Sequence, residues 1–179
     1  MEKRVLVAYA TKYGATAEIA RKIGEVLRQS GLPTDVKPAS KVLDVEAYDA
    51  VVLGSAVYIG KWRKQAVKFL EAYQEELAEI PVWIFSSGPT GTGDVVELLE
   101  GWKFPKSQKP VADRIKPRDM VVFHGSLNLK KLNFIERWMI KNINAPVGDF
   151  RDWNVVTVWA TTIANDLKGV TPTLDTEPE

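Results

Sequence analysis

Two threonines bracket a glycine in the segment Thr11-Lys12-Tyr13-Gly14-Ala15-Thr16, which follows a short apolar run and precedes a stretch of helical periodicity. At such a junction backbone N–H groups and the positive end of a helix dipole converge, so an anion is favoured there. The hydroxyls of Thr11 and Thr16 add neutral donors, and Gly14 lets backbone approach closely. That composition suits a terminal phosphate monoester. A capped turn between strand and helix uses the same residues, so the loop alone leaves both readings open. Two more small-residue loops, Ser55-Ala56-Val57-Tyr58-Ile59-Gly60 and Ser86-Ser87-Gly88-Pro89-Thr90-Gly91, also follow apolar runs.

Other chemistries fail on residue type. No Gly-x-x-x-x-Gly-Lys-[Ser/Thr] is present and no Gly-x-Gly-x-x-Gly follows the first apolar run, which excludes a P-loop hydrolase and a dinucleotide fingerprint. A phospho-acceptor domain needs carboxylates at its first and third strand ends, where this chain has Tyr9-Ala10 and Leu53-Gly54. With no cysteine and a single histidine, His124, there is no thiolate nucleophile, Cys-type zinc site or multi-histidine metal centre. Asp94 and Asp113 lack a paired context, and a lone histidine at a strand end is ordinarily structural, so no catalytic acid, base or metal ligand is nominated.

The elements that would position these loops alternate in period. Val5 to Tyr9, Ala50 to Gly54, Val82 to Phe85 and Met120 to Phe123 are apolar runs of strand length, and Asp35-Val36-Lys37 reads as a short polar edge strand. Between them, Ala15, Ile19, Ile23, Val26 and Leu27 recur at helical spacing, as do Val67, Leu70, Tyr73 and Leu77 in a helix expected from Trp62 to Leu77. Trp153, Val156, Ala160, Ile163 and Leu167 form a last stripe stopped by Gly169. This alternation predicts an α/β fold: a doubly wound five-stranded parallel sheet, order 2-1-3-4-5, with helices on both faces and ligands at the carboxyl ends of the strands.

A chain of 179 residues with 45% hydrophobic and 26% charged residues suits one folded domain, expected over 1–169, with 170–179 an acidic disordered tail. Lys and Arg number 24 against 23 Asp and Glu, which provides no broad basic field for nucleic acid. The six mostly apolar residues after Arg4 are too short for a signal-peptide core, so an intracellular, cytoplasmic protein is expected.

On these residues the chain resembles the flavodoxins, whose phosphate loop reads Thr-x-[Thr/Tyr]-Gly-x-Thr. More narrowly, Gly54 to Gly60 with Trp62, together with Glu136 to Lys141, resembles the flavodoxin-like branch that includes menaquinone-dependent protoporphyrinogen IX dehydrogenase. The resemblance implies FMN as cofactor, with Thr11, Gly14, Ala15 and Thr16 on its phosphate and Lys12 and Tyr13 completing the loop. The two later loops would flank the ring, with Tyr58 the candidate to stack on it. It implies an oxidoreductase or electron-transfer protein whose partner is a redox protein or a quinone or porphyrin substrate. A flavodoxin-fold interaction module without redox activity is the non-enzymatic alternative.

Two departures from electron-carrying flavodoxins stand out. The loop Ser86 to Gly91 has no aromatic, which leaves one ring face open unless Trp102 folds over it, and the net charge of +1 is not that of an acidic shuttle. The segment Lys130 to Ile143 places Leu132, Ile135, Met139 and Ile143 on one stripe, widened by Phe134 and Trp138. Lys130, Lys131, Arg137 and Lys141 make its polar side basic. Packing on the sheet explains that pattern, as does peripheral contact with the inner face of a membrane or with porphyrin carboxylates.

Overall fold

The computed structural model describes residues 3–58, 60–142 and 144–170; the expected tail from 171 onward, Ile59 and Ile143 lie outside the described residues. The first apolar run forms β1 (Val5–Ala10). Gly14, at φ 96°, turns the chain in a left-handed conformation that a side chain would strain, and α1 (Ala15–Gln29) begins there. The edge strand is β2 (Thr34–Pro38), followed by β3 (Ala50–Tyr58), β4 (Lys61–Trp62), α2 (Lys64–Ala72), α3 (Gln74–Glu79) and β5 (Val82–Ser87). Then come α4 (Val95–Leu98), α5 (Lys109–Ile115), β6 (Asp119–Phe123), β7 (Ser126–Leu127), α6 (Phe134–Asn142), β8 (Gly148–Asp149) and α7 (Trp153–Lys168).

The parallel strands lie in the order β2-β1-β3-β5-β6, with β4 turned back antiparallel on β3. In chain order of the five parallel strands this is the expected 2-1-3-4-5. Alternation along each strand divides the core between the two faces. Val5, Val7 and Val52 pack with Ile19 and Ile23 of α1 and with Val156, Ala160 and Ile163 of α7. Leu6, Ala8, Val51 and Leu53 pack instead with Phe69 and Leu70 of α2, Leu77 and Ile115. Gly54 is required where it stands, because a Cβ there would lie 1.9 Å from the buried Phe85 ring.

Three expectations are corrected. The helix expected from Trp62 to Leu77 breaks at Tyr73, whose φ of −112° leaves helical geometry while its hydroxyl donates to the Val42 carbonyl at 3.2 Å. Trp62 is in β4, buried, with its indole N–H on Ser86 Oγ at 2.9 Å. Trp153 does not join the core stripe; its ring lies under the Arg151 guanidinium, 4.7 Å away.

Candidate functional site

Strand register sets the site's geometry. Ala10 pairs with Ser55, and Ser55 with Ser86, so the three candidate loops leave the sheet at one level. They open on a cavity of about 870 Å³ lined on the sheet side by Thr11, Thr16, Ala56, Tyr58, Ser87 and Gly88. Its outer wall is Leu127, Leu132, Met139, Ile140 and Val147, from the long connection between β6 and α7.

The first loop is pre-shaped. The Gly14 N–H donates to Thr11 Oγ1 at 3.0 Å, and no side chain caps α1, so the first N–H groups of the helix face the cavity end of the loop without a side-chain acceptor. Thr16 is buried and lines the cavity. Arg151 grips this turn from outside: its guanidinium donates to the Ala15 carbonyl at 3.2 Å, to Glu18 at 2.7 Å and to both oxygens of Asp149 at 2.6 and 2.8 Å. Its hydrogen bonds to Asp149 hold that carboxyl below the ordinary range.

Glu136 on α6 joins the same loop, accepting from Lys12 Nζ and Tyr13 Oη and from the Asn133 N–H at 3.0 Å. These bonds, Lys12's foremost, hold its carboxyl from 4.5 down to about 2. The Lys12 ammonium is raised mainly by the bond to Glu136, and the Tyr13 phenol mainly by burial. Lys131 donates to the Tyr13 carbonyl at 3.0 Å, so two residues of the late basic segment are tied to this loop.

Tyr58 stands at the cavity with Lys12 Nζ 5.8 Å and the Arg63 guanidinium 5.6 Å from its ring centre, and burial raises its phenol. Arg63 Nε is buried without a hydrogen-bond partner among the described residues, an orphan donor in a residue that lines the cavity. The third loop is braced through Gly125, whose N–H donates to the Pro89 carbonyl at 2.8 Å. A Cβ on Gly125 would meet the Gly88 oxygen at 2.9 Å.

Of the candidate residues, Thr11, Lys12, Tyr13, Ala15, Thr16, Ala56, Val57, Tyr58, Ser87, Gly88 and Thr90 line the cavity. Gly14 shapes its loop, whereas Gly60, Pro89 and Gly91 are not lining residues, and Ile59 is outside the described residues. Ser55 and Ser86 face inward. Ser55 Oγ accepts from the Arg63 N–H, and Ser86 Oγ accepts from Trp62 and donates to the Lys103 carbonyl at 3.0 Å. Trp102 packs into the α2 face of the core rather than over the cavity. His124 has Nδ1 3.3 Å from the Pro89 oxygen and Nε2 3.0 Å from the Gly93 oxygen, a brace for the third loop.

Arg63, Gly125 and Arg151 were absent from the sequence reading, and Glu136 entered it only as part of the late segment, not as a site residue. Glu136 had a faint signal, as the single acid in a basic segment; Gly125 and Arg151 had none, because the loops they brace lie far along the chain.

These donors fit an anionic, acceptor-rich ligand with a flat apolar body: uncapped N–H groups and hydroxyls at one end, an aromatic ring and an orphan Arg63 N–H further in, and an apolar outer wall. Strand order and cradle together define a doubly wound α/β protein with a donor-rich cradle at its topological switch point. The flavodoxin-domain family model matches residues 6–154, and the chain belongs to the flavodoxin family. FMN is the cofactor this membership implies.

The chain is 23% identical over 183 residues to "Protoporphyrinogen IX dehydrogenase [quinone]" of Escherichia coli (strain K12), covering 90% of this chain and 95% of that protein. It is 30% identical over 90 residues to "NAD(P)H dehydrogenase (quinone)" of Paraburkholderia phymatum, covering 38% and 45% respectively. An archaeal flavodoxin structure superposes with TM-score 0.58 at 14% identity over 92% of this chain and 99% of that one, which is a likeness of fold. Among the described residues no helix is long and apolar enough to cross a membrane.

Proposed function

We propose that the protein is an FMN-dependent oxidoreductase that passes electrons from a reduced organic donor to a quinone. The observation that carries the reading is the cavity itself. Uncapped helix N–H groups with the Thr11 and Thr16 hydroxyls lie at one end, and Tyr58 with the unpartnered Arg63 N–H lies beside an open apolar chamber. A fold serving only as a scaffold has no need of unpartnered donors around an open chamber. FMN, when bound, supplies reversible electron and proton uptake at its ring.

The residues divide the remaining work. Thr11, Gly14, Ala15 and Thr16 would hold the phosphate through hydroxyls and N–H groups, with Lys12 and Tyr13 fixed behind them by Glu136. Tyr58 would offer a face to the ring, and Ala56, Val57, Ser87, Gly88 and Thr90, which line the same cavity, would surround it. No aromatic from the third loop covers the opposite side, which leaves room for a substrate against Leu127, Met139 and Ile140. In each turnover the donor gives up two electrons and two protons, and the quinone takes up both as the quinol. A quinone acceptor is supported by the names of both relatives, and a porphyrinogen donor by that of the Escherichia coli protein alone.

Titrating the FMN-free protein with FMN, followed by assay of a soluble naphthoquinone with porphyrinogen as donor, tests this reading. Thr16→Val should weaken FMN binding about tenfold to a hundredfold, the value of a hydrogen bond to a charged group. Absence of FMN binding, or equal affinity in the variant, would overturn the phosphate assignment. Quinone reduction with other donors but not porphyrinogen would remove the porphyrin.

A further inference from the structure

Helix α6 buries none of its nine residues, although five of them, Phe134, Ile135, Trp138, Met139 and Ile140, are apolar. Among the described residues of the expected stripe, Leu132, ahead of the helix, is the one that is buried. At about 100° per residue, Glu136 and Ile140 share one side, and both line the cavity. The opposite side carries Phe134, Ile135 and Trp138, which are 86%, 67% and 62% exposed. Met139, 43% exposed, lies between the two faces and reaches the cavity rim.

Charge is sorted in the same way. The segment's single acid, Glu136, is turned inward and bound by Lys12 and Tyr13. Arg137 and Lys141 flank the Phe134 and Trp138 side at helical spacing, Lys130 precedes the helix, and all three are exposed. Among the described residues the side chains of Lys130 and Lys141 enter no hydrogen bond or ion pair. The outward surface of this segment therefore joins aromatic and aliphatic side chains to positive charge alone, the arrangement of a helix that lies in the plane of an anionic bilayer.

We propose that α6 docks the protein on an anionic lipid surface, with Phe134, Ile135 and Trp138 in the acyl boundary and Lys130, Arg137 and Lys141 on the headgroup phosphates. A second copy of the chain is a poorer occupant. A two-fold contact through this face would set Arg137 and Lys141 of one copy against those of the other, with no outward acid on the segment to pair with them. Docking by α6 sets the cavity rim at Met139 against the membrane, so a bilayer-dissolved substrate reaches the chamber without crossing water. The proposal goes beyond the enzymatic reading and is independent of it, since lipid binding is measured without turnover.

The test is co-sedimentation of the full chain with vesicles of phosphatidylcholine alone and of phosphatidylcholine with phosphatidylglycerol, at low and raised salt. Binding is expected to the anionic vesicles and to fall with salt. Lys130→Gln with Lys141→Gln should lose about twenty-five- to thirtyfold in vesicle affinity, near fivefold per charge. Phe134→Ser with Trp138→Ser should abolish binding while leaving the melting temperature and FMN content unchanged, because both residues are exposed. The proposal fails if the wild type ignores anionic vesicles or if the Phe134/Trp138 variant binds as well as the wild type. It fails equally if sedimentation without lipid shows a dimer that this variant dissolves, which would make the face a contact between copies.

Discussion

Arg151 tests how far the first loop depends on the distant end of the chain. Its side chain is 7% exposed, while its partners Glu18 and Asp149 are 44% and 49% exposed. Arg151→Met leaves both carboxylates free to rehydrate, so no uncompensated buried charge adds to the loss. Two charge-assisted attachments at about 1.5 to 3 kcal/mol each set the upper bound. Half-exposed carboxylates earn the low end of that range, and the guanidinium over Trp153 adds about 0.5 kcal/mol. The expected destabilisation is about 2 to 4 kcal/mol, a fall of roughly 5 to 12 °C in melting temperature for a chain of this size. Urea unfolding of the FMN-free protein measures it. Arg151→Lys should recover only part of the loss, since an ammonium keeps the charge but cannot span Asp149 and the Ala15 carbonyl with one planar fork. A loss below about 0.5 kcal/mol for Arg151→Met, within the usual range for surface changes, would refute the view that this contact secures the turn.

Two other perturbations follow from the packing and the charges. The Glu136 carboxyl is held near 2 in the folded protein, below its ordinary 4.5, so its contribution is complete above pH 4.5 and is lost as the pH falls toward 2. Glu136→Gln should therefore lower stability at neutral pH and flatten the stability profile between those values, seen by comparing acid unfolding of the two proteins; identical slopes would contradict the assignment. Gly54→Ala places a methyl group 1.9 Å from the Phe85 ring, which is fully buried and has no room to retreat. A cost of about 3 kcal/mol or more is expected in urea unfolding, and a neutral result would mean that β3 and β5 separate freely.

Strand order and the first loop were legible because their signals are local: short continuous apolar runs give way to a 3.6-residue period, and the threonines flank Gly14 within a few residues. Tyr73 carried no breaker, so the split between α2 and α3, made by a hydroxyl reaching Val42, left no trace in the periodicity. Ser55 and Ser86 share the composition of loop residues, yet their hydroxyls are used by Arg63, Trp62 and Lys103. Small polar residues at strand ends read alike whether they meet a ligand or fasten the sheet to its loops. The apolar residues of α6 have helical spacing, but spacing cannot distinguish a face that packs from one left in solvent.

The ties that shape the first loop span most of the chain: Glu136 is 124 residues from Lys12, and Arg151 is 136 residues from Ala15. During synthesis β1, α1, β2 and β3 can assemble while the loop between β1 and α1 still lacks its outer supports. A nascent chain therefore lays down its strands well before a finished cradle, and a fragment ending before β7 would lack these anchors together with the α7 cover of one sheet face. Ligand-binding competence is in this sense a late event in the birth of the molecule, postponed until its last quarter has left the ribosome.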